Sequence, residues 1–119
     1  MTAYRQFIVP TDMQILDALG VEPEVIEEGD TVRLIRVVTG EGDEFRLSYD
    51  TPGRSVRCQW YRGSVLILDI FREGADRLQV SSQKGESNIV IHFQTDSLAG
   101  GLHIRLAPSI AISDKLLFH

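Results

Sequence analysis

The sequence of 119 residues lacks the features that define several common protein classes. A single cysteine, Cys58, cannot form an internal disulfide, which excludes a disulfide-stabilised fold. The longest apolar run, residues 65–68, is far shorter than the roughly 20 residues of a membrane-spanning helix. Residues 1–5 do not show the basic and then apolar pattern of a signal peptide. We therefore expect a cytoplasmic protein that forms a single domain over residues 1–119.

Basic residues are also scarce. The chain has 12 Lys and Arg residues against 17 Asp and Glu residues, which gives a net charge of −5. Proteins that hold nucleic acid through phosphate contacts need a cationic surface, so we expect no nucleic-acid partner. Hydrophobic residues make up 43% and charged residues 24% of the chain, a balance typical of a globular protein with a core.

Sequence motifs that would indicate catalysis are missing. There is no Gly-x-Ser-x-Gly elbow, no phosphate-binding P-loop and no His-Glu-x-x-His zinc motif. Gly40 and Gly42 fit a hairpin turn, because no helix follows them as a dinucleotide-binding motif requires. The lone thiol of Cys58 alternates with Val56 and Trp60, as a buried residue would. We expect neither enzymatic activity nor a cofactor.

One segment near the N-terminus carries the signals of a helix. Thr11 and Gln14 form a Thr-x-x-Gln capping box, and Asp12 suits the positive end of the helix dipole. Gly20 is well placed for the left-handed position after the last turn. The helix is too short to be stable alone, so it must pack through its apolar face, which carries Ile15, Leu16 and Leu19.

Nearly everything after this helix alternates between apolar and polar residues in short runs separated by turn residues. The runs predict strands over residues 31–39, 45–49, 56–61, 65–72, 78–80, 89–94 and 102–106, with a last short strand near 110–112. The connections are too short for the crossovers that parallel strands need. We predict a mainly β (α+β) fold, an antiparallel meander forming a curled sheet or small barrel beside the helix. A two-sheet sandwich is the alternative.

The side-chain parity within each strand predicts which residues form the core. The core-facing positions are Phe45, Leu47, Val56, Trp60, Ile67, Ile91, Phe93, Leu102 and Ile104, closed by Ile15, Leu16 and Leu19. Residues 65–71 differ from the other strands because both of their faces are apolar. We expect the helix to cover one of those faces; a homodimer or partner interface is the alternative.

Three polar groups are candidates for chemistry. Asp69 lies in the middle of the apolar strand, where it needs an arginine, a histidine or backbone donors, and we expect a structural ion pair. His92 and His103 belong to two strands that form a hairpin, and we expect no metal between them because a third ligand is missing. Arginines 57, 62 and 72 flank Trp60 and Tyr61, which is a minor candidate for a stacking and phosphate-binding surface.

The distribution of charge is the most informative feature of the sequence. Residues 17–50 contain ten acidic and three basic residues, whereas the rest of the chain is slightly basic. Such a concentration steers a basic partner and speeds its association, although solvated acids also serve solubility alone. The candidate partner-binding residues are Glu22, Glu24, Glu27, Glu28, Asp30, Glu41, Asp43 and Glu44.

The physical profile of a small, acidic chain without catalytic motifs is similar to that of bacterial immunity proteins, which bind and block a cognate toxin. The similarity rests on profile and on no diagnostic motif. It implies a basic protein partner, for example a nuclease toxin. Two other classes stay open: a small-molecule-binding β-barrel or an enzyme on that scaffold, and a structural homodimer that uses residues 65–71 as its interface.

Overall fold

The computed structural model describes residues 5–118; the first four residues, which contribute to the signal-peptide argument, lie outside this range. It contains one helix, α1 (Asp12–Leu19), and nine strands. The strands are β1 (Glu24–Val25), β2 (Val32–Val38), β3 (Asp43–Asp50), β4 (Ser55–Arg62), β5 (Val65–Glu73), β6 (Ala75–Gln83), β7 (Glu86–Gln94), β8 (Leu98–Ala107) and β9 (Ala111–Phe118).

The helix begins and ends where its capping residues predict. The Thr11 side chain accepts a hydrogen bond from the Gln14 backbone N–H at 3.2 Å, and the Gln14 side chain accepts one from the Thr11 N–H at 2.8 Å. Gly20 ends the helix in the left-handed conformation with φ 78°. Ile15 is fully buried, while Leu16 and Leu19 are half-buried. Within residues 5–118, no helix is long and apolar enough to cross a membrane.

The strands form two antiparallel sheets in strictly sequential order. The first sheet contains β1-β2-β3-β4-β5 and the second contains β6-β7-β8-β9. The predicted antiparallel meander is confirmed, and it takes the form of the two-sheet sandwich given as the alternative. Strand β9 is longer than the sequence pattern predicts. The prediction ended too early because the polar residues at its centre, Ser113–Lys115, interrupt the apolar alternation.

The chain passes from the first sheet to the second at Gly74. This glycine has φ 87°, and it is the only residue between β5 and β6. The Arg54 guanidinium donates hydrogen bonds to the carbonyls of Ala75 at 3.0 Å, Gly74 at 3.3 Å and Gln94 at 2.9 Å. The Arg54 side chain, which lies in the turn between β3 and β4, therefore connects the first sheet to the crossing point and to the second sheet.

A second contact joins the two sheets near the end of β5, two residues before Gly74. Arg72 donates to both carboxylate oxygens of Asp114 on β9, at 2.9 and 2.7 Å. The same guanidinium lies 5.0 Å from the centroid of the Phe93 ring on β7. Arg72 therefore contributes a charge-assisted and a cation–π interaction between the layers.

The core lies between the two sheets and confirms most of the predicted residues. Eight of the predicted core residues are buried: Ile15, Phe45, Leu47, Val56, Ile91, Phe93, Leu102 and Ile104. Trp60 is only half-buried, and Ile67 is 44% exposed, so the prediction for Ile67 is wrong. The reason is the direction in which β5 faces: Leu68 and Ile70 pair with the core-facing residues of β4, so Ile67, like Asp69 and Phe71, lies on the outer face of the sheet.

The expected cover of β5 by the helix is also wrong. Helix α1 packs against β6 and β7 of the second sheet. Strand β5 is instead the edge of the first sheet, and its apolar residues Val65, Leu66, Ile67 and Phe71 are exposed.

Candidate functional site

The first group of predicted partner-binding residues lies in what we call the acidic segment, residues 22–30, which includes β1 at one edge of the first sheet. Glu22, Glu27 and Glu28 are exposed, and within the described residues they form no ion pair. Glu24 lies on β1 and pairs with Arg36 at 3.4 Å. Asp30 is half-buried and accepts a hydrogen bond from the Val32 N–H, which fixes the start of β2. The segment therefore presents three unpaired carboxylates to solvent.

The second group lies at the turn between β2 and β3. Glu41 is exposed at the tip of the turn. Glu44 is half-buried and accepts a hydrogen bond from the Arg46 side chain at 2.7 Å. Arg36 and Arg46 are direct cross-strand partners on β2 and β3, so two cations lie between Glu24 and Glu44. The two acidic groups are consequently separated by arginines that each bind one of their carboxylates.

Asp43 is turned into the protein rather than toward solvent. It is 5% exposed, and its carboxylate accepts hydrogen bonds from Trp60 Nε1 at 3.0 Å and from Arg62 Nε at 3.3 Å. The Arg62 hydrogen bond, followed by that of Trp60, lowers the pKa of Asp43. Asp43 shares the parity of Phe45 and the other buried residues of β3, and this signal was present in the sequence. In this conformation the Asp43 carboxylate is not exposed for direct contact with a partner.

The arginines near Trp60 are each bound to a carboxylate. Arg57 donates to both oxygens of Asp69, at 3.0 and 2.7 Å, which confirms the expected structural ion pair. This hydrogen bond lowers the pKa of Asp69. Arg62 and Arg72 bind Asp43 and Asp114 in the same way. A phosphate would have to displace these carboxylates, so the arrangement gives no support to the phosphate-binding hypothesis.

The two histidines lie on the outer face of the second sheet. His92 pairs with Gly101 and His103 with Val90, so the two rings are diagonal neighbours rather than directly opposite. Each ring nitrogen Nε2 contacts an amide oxygen, that of Gln79 at 3.2 Å and that of Asn88 at 2.9 Å. Within residues 5–118, no group of three His, Cys, Asp or Glu side chains is arranged to hold a metal ion.

Cys58 is fully buried on β4, facing the core. Burial raises the pKa of its thiol to about 12. The thiolate that nucleophilic chemistry requires is therefore strongly disfavoured in the folded protein.

An open cleft lies between helix α1 and strand β6. Its volume is about 730 Å³, and its walls mix apolar residues such as Ile8 and Val80 with polar ones such as Gln14, Asp17 and Gln79. A small-molecule site is normally enclosed and mostly apolar, with few polar groups. This open, mixed lining gives no specific support to the small-molecule hypothesis.

The fold has a counterpart among solved structures. A chain of a contact-dependent growth inhibition toxin–immunity protein complex from Klebsiella pneumoniae 342 matches this fold with a TM-score of 0.80. The match covers 92% of this chain and 96% of that chain, at 17% sequence identity. No family model and no curated protein matches the sequence. At this identity the likeness shows a shared fold.

Proposed function

We propose that this protein is an immunity protein, a small acidic binding protein that neutralises a basic bacterial toxin. The observation that carries the proposal is the shared fold with a chain of a toxin–immunity protein complex over nearly the whole length of both chains. The net charge of −5 favours the inhibitor role over that of a nuclease toxin, because a nuclease needs cations to hold phosphates.

The acidic segment is the surface we propose for the first encounter with the toxin. Glu22, Glu27 and Glu28 are exposed and carry charges that no arginine of the described chain neutralises. Carboxylates of this kind attract a basic partner at long range and raise the rate of association. Within the segment, Glu24 and Asp30 contribute less, because each already has an internal partner. Glu41 and Glu44 belong to the second group, beyond Arg36 and Arg46, and contribute less for that reason.

The function is tested by co-purification from the native host, followed by a growth assay. The expected partner is a basic protein that stops bacterial growth when expressed alone, and co-expression of this chain restores growth. A stable partner that has no effect on growth would contradict the proposal.

The acidic segment is tested by a triple charge reversal, Glu22→Lys, Glu27→Lys and Glu28→Lys. The on-rate with the purified toxin should fall by about tenfold or more at low salt, and its dependence on salt should flatten. Thermal stability should change little, because exposed charges contribute under about 1 kcal/mol each.

A matched control applies the same change of charge elsewhere, at Glu73, Glu86 and Asp96, all of which are exposed. This control should reduce the on-rate much less than the triple variant does. Equal reductions by both variants would show that only net charge matters, and an unchanged on-rate in the test variant would exclude the segment from binding.

A further inference from the structure

Strand β5 is an exposed edge of the first sheet. It is nine residues long, and within residues 5–118 it pairs only with β4. Val65 is 60% exposed, Leu66 45%, Ile67 44% and Phe71 63%, so apolar side chains lie next to the unpaired backbone groups of the strand. An edge of this kind is a template for pairing with another strand.

The other three edges of the sandwich are protected by known devices. Strand β1 has only two residues. Strand β6 is covered near its start by the chain at Ile8, whose N–H donates to Asp76 at 3.0 Å and whose carbonyl accepts from Leu78 at 2.9 Å. Strand β9 has an exposed lysine, Lys115, near its middle. Short strands, covering segments, lysines and β-bulges all oppose edge pairing. Strand β5 has a bulge at Ile67, between its pairs with Trp60 and Tyr61, but it is long, uncovered and without a lysine.

The charges beside β5 are compensated within the chain. Asp69 is bound by Arg57 and Arg72 by Asp114, in both cases through two hydrogen bonds. Only Glu73, at the end of the strand, has no ion pair within the described residues. A basic partner is attracted by uncompensated acids, which lie at the opposite edge of this sheet, four strands away. The apolar and nearly neutral edge of β5 fits an identical copy, since two such edges meet without repulsion between like charges.

We propose that β5 is the interface of a homodimer, in which β5 of one copy pairs antiparallel with β5 of a second copy. A two-fold axis through the middle of the strand, near Leu68 and Asp69, places Phe71 beside Val65–Ile67 of the second copy. The two five-stranded sheets then form one continuous ten-stranded sheet. Each Glu73 falls beside residues 63–65 of the second copy, which include no acidic side chain.

The size of this interface determines how tightly the dimer holds. One strand with four partly exposed apolar side chains offers less than the roughly 800 Å² per partner of a standard interface. The dimer is therefore reversible, and it dissociates on dilution. The acidic segments stay exposed at the two outer ends of the continuous sheet, so this dimer is compatible with the proposed function and does not depend on it.

The dimer is tested by sedimentation velocity over a concentration series from about 1 µM to about 300 µM. The average mass should rise from that of one chain toward that of two. A mass of one chain at every concentration would overturn the proposal and leave β5 free for a strand of another protein.

A double variant locates the interface, with a matched control. Ile67→Lys with Phe71→Lys places two cations on exposed positions of β5 and should weaken association at least about tenfold. Val38→Lys changes an apolar residue on β2 that is as exposed as Phe71, and the association of this variant should equal that of the wild type. If the double variant associates as tightly as the wild type, the interface lies elsewhere.

Hydrogen exchange on the wild-type chain gives a test that does not depend on how the variants fold. Amide exchange in β5 should slow as the concentration rises, while exchange at the edge strand β9 should stay constant. Concentration-independent exchange in β5, in samples that do form dimers, would contradict pairing through this strand.

Discussion

Asp114→Asn removes the charge from the ion pair that joins β5 to β9. In the wild type, Arg72 donates two hydrogen bonds to Asp114, and the exposed side-chain fractions are 15% for Arg72 and 33% for Asp114. Breaking a fully buried pair costs about 3–5 kcal/mol, whereas an exposed pair contributes about 0–1 kcal/mol. The partial burial of this pair places the expected loss between them, at about 1–3 kcal/mol of the free energy of unfolding at pH 7.

The dependence on pH follows from the direction of the pKa shift. The hydrogen bond from Arg72 lowers the pKa of Asp114, although burial opposes it. A carboxyl with a lowered folded-state pKa contributes its stabilisation fully above the unfolded pKa, about 3.9, and loses it as the pH falls through the folded value. The difference in the free energy of unfolding between the wild type and Asp114→Asn should therefore have its full size at pH 7 and should become smaller below about pH 4.

Urea unfolding at a series of pH values measures both effects. Asp96→Asn is the matched control, because Asp96 also binds an arginine, Arg5 at 3.1 Å, but its side chain is 98% exposed. The control should change stability by less than about 0.5 kcal/mol. If Asp114→Asn costs no more than the control at pH 7, or if its cost is the same at pH 7 and at low pH, the charge of Asp114 does not stabilise the fold.

Three substitutions and one measurement of thiol reactivity test the packing of the sandwich. Ile91→Ala should cost about 2–5 kcal/mol in urea unfolding because the residue is fully buried, and Ile67→Ala should cost less than about 1 kcal/mol because it is 44% exposed; similar costs would contradict the assigned faces. Trp60→Phe removes the hydrogen bond to the buried carboxylate of Asp43 and should cost about 1–3 kcal/mol, and an unchanged stability would show that the bond contributes nothing. The Cys58 thiol, with a pKa of about 12, should react with a disulfide reagent at pH 8 only after unfolding, and rapid reaction in the native protein would contradict its burial.

Local signals in the sequence predicted the local structure. The capping box at Thr11 and Gln14 and the glycine at position 20 give the bounds of the helix, because hydrogen bonds at helix ends depend on residues close in sequence. Alternation of apolar residues located most strands and eight core residues, since one face of each strand packs on the other sheet.

The alternation of apolar and polar residues did not predict the exposure of Ile67 or the division of the strands into two sheets. Both faces of residues 65–71 are apolar, so alternation alone does not show which of them packs on the core. The change of sheet takes a single residue, Gly74, and looks like an ordinary turn in the sequence. The three carbonyls that Arg54 binds come together only in the folded chain.

The candidate partner-binding surface was predicted from the distribution of acidic residues, which does not show which of them form ion pairs within the chain. The sequence places eight acidic residues in two runs, but it does not show that Arg36, Arg46 and Arg62 bind three of them. The parity of Asp43 with Phe45 was the one available sign that a member of the set is buried.

The sequential order of the strands has a consequence for how the chain folds. Each strand of a sheet pairs only with its neighbours in sequence, so the pairing contacts close short loops. Sandwiches of the Greek-key type must instead bring distant segments together before they gain stability, and they fold slowly for that reason. We expect this chain to fold faster than such sandwiches of its length, with each meander forming early. Docking of the two sheets around Gly74, which brings Arg54 to the carbonyl of Gln94, is then the late event.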